Sequence, residues 1–142
     1  MNTTHAEQFL ARLDQLRAMQ AFVERFCARA GLPKEACLRL NLVVEELFTN
    51  TVRHGHKGDC DAPVWVTVSR GSDRVQLIYE DKAPPFNPYS ALAEAAAPVP
   101  ETTVSMRRVG GLGVLLTKEL AKSRDYAYVF GRNRIRLMLA TA

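Results

Sequence analysis

The sequence predicts an α+β domain with one mixed or antiparallel sheet and helices on one face. Three observations carry that prediction. Apolar residues recur at helical spacing through residues 16–27 and again through 38–54. Two pairs of segments, near 64–79 and 126–139, alternate apolar and polar at period two. No helical pattern interrupts either pair, so each pair reads as a hairpin.

Phe9, Ala11 and Leu13 alternate with polar residues, whereas Leu16, Met19, Phe22, Val23, Phe26 and Cys27 follow helical spacing. Either a short strand runs into a helix or one long helix covers both. Gly31 ends that helix, and Pro33 suits the first turn of the next, which gives a helical hairpin. The second helix carries LRLNLVVEELFTNTVRH, residues 38–54, and should stop near Gly55, before the polar, glycine-rich HGHKGDCDAP. At about 100° per residue, Leu40, Val44, Leu47, Phe48 and Thr51 share a face suited to a core. Arg39, Glu46, Asn50 and Arg53 share another, which is either one wall of a ligand site or plain surface.

Val64, Val66 and Val68 alternate with polar residues, Gly71-Ser72-Asp73 turns, and Val75, Leu77 and Tyr79 alternate again. The second strand of this hairpin ends in Glu80-Asp81, and the prolines of KAPPFNPYS forbid regular pairing beyond it. With the Ala/Pro-rich residues 91–100, this makes a loop of some twenty residues, a length that is either functional or an ordinary connector. Arg107-Arg108-Val109-Gly110-Gly111-Leu112-Gly113 then leads into a helix expected over 114–121. Glycines at a helix start leave backbone N–H groups for phosphate oxygens. The stretch meets neither the GxGxxG nor the GxxxxGK[ST] pattern. Finally Tyr126, Tyr128 and Phe130 alternate, Gly131-Arg132-Asn133 turns, and Ile135, Leu137 and Leu139 alternate.

The 142 residues suffice for one core that buries about two thirds of the unfolded surface. With 47% hydrophobic and 24% charged residues, wholesale disorder is excluded. No apolar run approaches the roughly 18 residues of a membrane span, and the N-terminus has no secretion-type apolar region, so a cytoplasmic protein is expected. The net charge of +4 permits an anionic ligand, but basic residues are scattered among acids, so direct nucleic acid binding is not expected. Cys27, Cys37 and Cys60 are odd in number and lack CxxC spacing, which suggests neither a disulfide framework nor a zinc ribbon. His54, His56, Asp59, Cys60 and Asp61 crowd one segment, where loop polarity accounts for them as well as a metal does.

Three pieces stand in a fixed order: Glu46-x-x-x-Asn50 on a helix, Asp81 at a strand end before PPFNP, and Gly110-Gly111-Leu112-Gly113 opening a helix. In that order they resemble the GHKL superfamily of ATPases and kinases. EELFTNTVRHG, DKAPPFNP and GGLGVLL look most like the anti-sigma factor serine/threonine kinases of partner-switching systems. The resemblance implies a histidine-kinase-like ATPase domain over residues 1–142, a two-layer Bergerat-type sandwich with an ATP lid about 87–109. It implies that Glu46 is the general base, that Asn50 holds Mg²⁺ bridging the phosphates of ATP, and that Asp81 accepts from the adenine amino group. The four-residue spacing places Glu46 and Asn50 about one helical turn apart on one face, whereas Glu45 points about 100° away.

The resemblance further brings Arg53, His54, Ala83, Phe86, Gly110, Gly111, Leu112 and Gly113 into the nucleotide set. Arg53 and His54 either reach phosphate or a partner or lie at the surface, and Arg107 and Arg108 either meet phosphate or remain solvated. Phe86 packs either beneath the lid or in the core. Ala83 stands where the family usually has glycine; its methyl either crowds adenine or only restricts the backbone, and weaker or slower nucleotide binding is expected. The implied partners are a sigma factor and a STAS-type antagonist phosphorylated on serine or threonine, and the resemblance allows a homodimer. A non-catalytic ATP-binding partner-switching module is the other functional reading.

Overall fold

The computed structural model describes residues 3–87 and 121–141, of which 121–124 by backbone alone. Strand β1 (Thr3–Leu10) is followed by a 3-10 turn (Leu13–Gln15), helix α1 (Leu16–Ala30) and helix α2 (Lys34–Asn50). One π-helical turn (Thr51–Gly55) extends α2, after which come β2 (Pro63–Arg70), β3 (Arg74–Asp81), β4 (Ala121–Val129) and β5 (Arg132–Ala140). The sheet order is β1-β2-β3-β5-β4, and every pairing among the described residues is antiparallel rather than mixed.

Side chains on a strand alternate between faces, so Val64, Val66 and Val68 on β2, Val75, Leu77 and Tyr79 on β3, and Ile135, Leu137 and Leu139 on β5 all point one way. That face is buried against Met19, Phe22, Val23 and Phe26 of α1 and Leu40, Val43, Val44, Leu47 and Phe48 of α2. Strand β1 docks through rings, with Phe9 edge-on to Phe22 at 5.8 Å and His5 edge-on to Phe26 at 5.5 Å. The opposite face is polar. There the Arg132 guanidinium lies 3.4 Å from the Trp65 ring centre and 3.6 Å from Glu80.

Gly31 takes a left-handed conformation (φ 65°), and the Leu32 N–H bonds Cys27 O at 3.0 Å, a Schellman-type stop for α1. Arg70 at the end of β2 donates to Ala30 O and Gly31 O at 2.5 and 3.0 Å, so a cation meets the negative end of the helix. Cys27 lies in the core beside Cys37 of α2, and burial pushes its thiol pKa upward. All three cysteines are free.

Several sequence expectations need correction. Strand β1 stops at Leu10, because Leu13 enters the 3-10 turn and its N–H bonds Asp59 Oδ1 at 2.7 Å. Pro33 caps α2 from outside its first turn. The final turn is centred on Phe130 and Gly131, both at positive φ, so Arg132 and Asn133 belong to β5. Ala121 begins β4 instead of closing a helix. The rest of the expected 114–121 helix lies outside the described residues.

Candidate functional site

The site is built where the end of α2 meets the end of β3. The predicted core face of α2 is buried as expected, with Leu40, Val44, Leu47, Phe48 and Thr51 at 6% exposure or less. Glu46 and Asn50 are half-buried on the other side, and Arg53 and His54 are exposed. Burial holds the Glu46 carboxyl above its ordinary pKa; its neighbour Glu45 adds to this, and Arg53 opposes it. Glu46 and Arg53 therefore feel one another across two turns. The helix then widens into a π turn, in which the His56 N–H reaches back to Thr51 O at 2.9 Å. Such turns concentrate at functional sites.

Thr51, the residue after Asn50, joins this helix end to the strand end. Its hydroxyl donates to Asp81 Oδ2 at 2.7 Å and stands 2.6 Å from the Tyr79 hydroxyl. Tyr79 is wholly enclosed, and burial together with Asp81 raises its pKa well above the usual phenol value. The phenol thus keeps its proton and donates to Thr51, whose single proton faces both Leu47 O at 3.0 Å and the nearer, charged Asp81 Oδ2.

Asp81 is 8% exposed. Its Oδ1 accepts from the Ala83 N–H at 3.1 Å and from Asn133 Nδ2 at 2.9 Å. A carboxylate offers about four acceptor positions. Three donors among the described residues reach this one, so the remaining capacity lies on Oδ2 and suits one further donor. An amino group on a planar base fits that requirement, and a carbonyl oxygen does not.

Ala83 is 4% exposed, and its methyl packs on Gly55: a Cβ added to Gly55 would stand 2.7 Å from it. The methyl at position 83 thus fills the space that a side chain at position 55 would need. The Phe86 N–H bonds Asn133 Oδ1 at 3.0 Å, while the residue is 49% exposed, which corrects its core reading. Gly110, Gly111, Leu112, Gly113, Arg107, Arg108 and all but the first residue of the 87–109 lid lie outside the described residues.

Among the described residues no group of three or more metal-ligating side chains gathers. In the crowded 54–61 segment, Asp59 takes the Leu13 N–H, Asp61 lies 3.4 Å from Arg12, and Cys60 N bonds Ala11 O at 3.0 Å. That segment pins the β1–α1 turn. Also among the described residues, no helix is long and apolar enough to cross a membrane.

Thr51, Tyr79, Gly55 and Asn133 belong to the site, and reading the sequence missed their part in it. A signal existed for two of them. Thr51 is a hydroxyl on a core face, which demands a partner. Asn133 continues the inward alternation of Ile135, Leu137 and Leu139 as a polar member.

The sequence profile of the histidine kinase-like ATPase domain matches residues 9–139. A serine-protein kinase, RsbW, of Listeria monocytogenes is 30% identical over 93 residues, covering 66% of this chain and 59% of that protein. The RsbW of Bacillus subtilis is 28% identical over 93 residues, covering 66% and 58%. The chain thus spans less than two thirds of the length of these curated relatives. A crystal structure of the RsbU and RsbW domains of Rv1364c from Mycobacterium tuberculosis superposes with TM-score 0.61 at 14% identity, covering 99% of this chain and 33% of that one.

Proposed function

Because the chain belongs to the histidine kinase-like ATPase domain family, we propose that it binds ATP where α2 meets β3 and acts as an anti-sigma factor serine/threonine kinase. On this reading it binds a sigma factor and transfers phosphate to a STAS-type antagonist, in the cytoplasm. The observation that carries the reading is the 2.7 Å Thr51–Asp81 hydrogen bond. It joins the end of the helix that carries Glu46 and Asn50 to Asp81, far apart in sequence, and so supports a shared site. Relatives named serine-protein kinases support the activity.

In this assignment Asp81 accepts from the adenine amino group, and the glycines at 110, 111 and 113 supply N–H groups to phosphate. Asn50 contributes the hard oxygen that Mg²⁺ prefers, and the ion, when bound, neutralises phosphate charge. Glu46 takes the proton from the acceptor hydroxyl as its oxygen attacks the γ-phosphorus and ADP leaves. The raised carboxyl pKa suits a proton acceptor working near neutrality. The lid about 87–109, phosphate contacts by Arg53 and His54, and assembly as a homodimer belong to the same proposal.

Ala83 and the Ala/Pro-rich lid favour a non-catalytic module and Glu46 favours an enzyme; the Ala83 methyl, turned onto Gly55, weakens the first of these. The deciding experiment uses labelled ATP, Mg²⁺ and a candidate STAS-type antagonist. The wild type should label the antagonist. Glu46→Ala should keep nucleotide binding and lower transfer by at least ~tenfold. An antagonist that binds yet stays unlabelled while ATP is bound would leave the non-catalytic reading standing.

A further inference from the structure

We propose that Asn133 is a positioning residue for base recognition, fixing the orientation of the Asp81 carboxylate and setting selectivity for an amino-bearing base. The inference rests on the reading of Asp81 as the adenine acceptor. Asn133 opens β5 and is paired in register with Asp81 at the end of β3. At 6% exposure its carboxamide is screened from solvent.

Both ends of that carboxamide are committed. Oδ1 accepts from the Phe86 N–H at 3.0 Å and the Tyr126 hydroxyl at 2.5 Å. Nδ2 donates to Asp81 Oδ1 and Ala83 O, both at 2.9 Å, with Pro84 O at 3.2 Å. A flipped amide would set its oxygen against the carboxylate and its donors against two other donors, so one orientation is selected. The torsion that rotates a carboxylate about its last bond is broad, and Asp81 needs external contacts to hold it. Thr51 holds one oxygen. Asn133, with the Ala83 N–H, fills the other.

The chemical consequence is selectivity. With Oδ1 filled, the acceptor capacity left to a ligand lies on Oδ2, in a fixed direction. Without Asn133, Oδ1 regains an acceptor position and loses its tether, and the carboxylate no longer presents one direction. The same carboxamide ties residues 83–86 to β5, so base recognition and the path of the chain beyond β3 are held by one side chain.

The test compares ATP with purine riboside triphosphate, which lacks only the amino group, by displacement of a fluorescent nucleotide. A hydrogen bond to a charged group predicts that the wild type prefers ATP by ~10-fold or more. Asn133→Ala should shrink that preference to within about threefold, leaving affinity for purine riboside triphosphate nearly unchanged. Tyr126→Phe, which removes a donor to Asn133 without touching Asp81, should lower the preference by a few-fold with the fold intact. Equal weakening of both nucleotides in Asn133→Ala, with the preference retained, would make Asn133 merely structural while Asp81 keeps its role. Should Asn133→Ala fail to fold, an unchanged preference in Tyr126→Phe overturns the inference. A wild type without any preference, unaltered by Asp81→Asn, brings down the Asp81 reading and this inference with it.

Discussion

Strand β3 has an aspartate at each end, Asp73 in the turn before it and Asp81 as its last residue, and the two are treated in opposite ways. Asp73 faces Arg74 at 3.4 Å with side chains 66% and 53% exposed. The concavity of about 360 Å³ at that end, bordered by Thr4, Ser69, Arg70 and Gln76, has no buried residue in its lining. Asp81 is enclosed and meets a hydroxyl, an amide side chain and a backbone N–H. Water can replace what surrounds Asp73, whereas the partners of Asp81 have no substitute. An opening lined by exposed side chains is therefore not by itself a candidate site; a polar cluster worth burying marks the end proposed to be functional.

The sharpest way to break this contrast is to remove each carboxylate. Asp81→Ala should cost about 2–4 kcal/mol in urea unfolding, since buried donors on Thr51, Asn133 and Ala83 lose their acceptor together. Asp73→Ala should stay within ~0.5 kcal/mol. Equal losses would mean that burial at Asp81 carries no energetic weight.

The unequal legibility of the two ends follows from the same physics. The alternating hairpins and the core face of α2 were legible because burial imposes periods of 2 and 3.6 on the apolar residues. Glu46, Asn50 and Asp81 stood out as candidates through their order and spacing, which carry the resemblance. The contacts of Asn133 were not, because a polar residue after Gly131 reads as part of a turn until the pairing with Asp81 is known. Phe130 misled in the other direction: its aromatic character suits a strand, yet it occupies a left-handed turn position at 96% exposure. The packing of the Ala83 methyl on Gly55 joins residues distant in sequence, and no local pattern announces it.

That contact separates packing from hydrogen bonding within the proposed site. Gly55→Ala places a methyl 2.7 Å from the Ala83 methyl and should destabilise by about 1–3 kcal/mol. Adding Ala83→Gly should restore most of the loss, as a double-mutant cycle between touching residues does. Additive losses in thermal unfolding would show that the two methyl positions do not compete, and the account of Ala83 would fail.

The smallest expected effect concerns charge on the exposed side of α2. Glu46 has its carboxyl pKa raised chiefly by burial, and Arg53 pulls it back down. A raised folded pKa means that the folded state holds its proton more tightly than the unfolded chain. The stability this contributes is present at low pH and is lost as pH rises through the folded value. Removing Arg53 as Arg53→Gln should therefore move the Glu46 titration further upward, read by carbon-13 NMR of its carboxyl. Arg53 is exposed, so the displacement should shrink at ~1 M salt, where screening acts within about 3 Å. Because Glu46 must be ionised to accept a proton, the acid limb of any transfer reaction should follow the same displacement. A titration that stays put, or moves down, would detach Arg53 from Glu46 and leave burial and Glu45 in control of the proposed base.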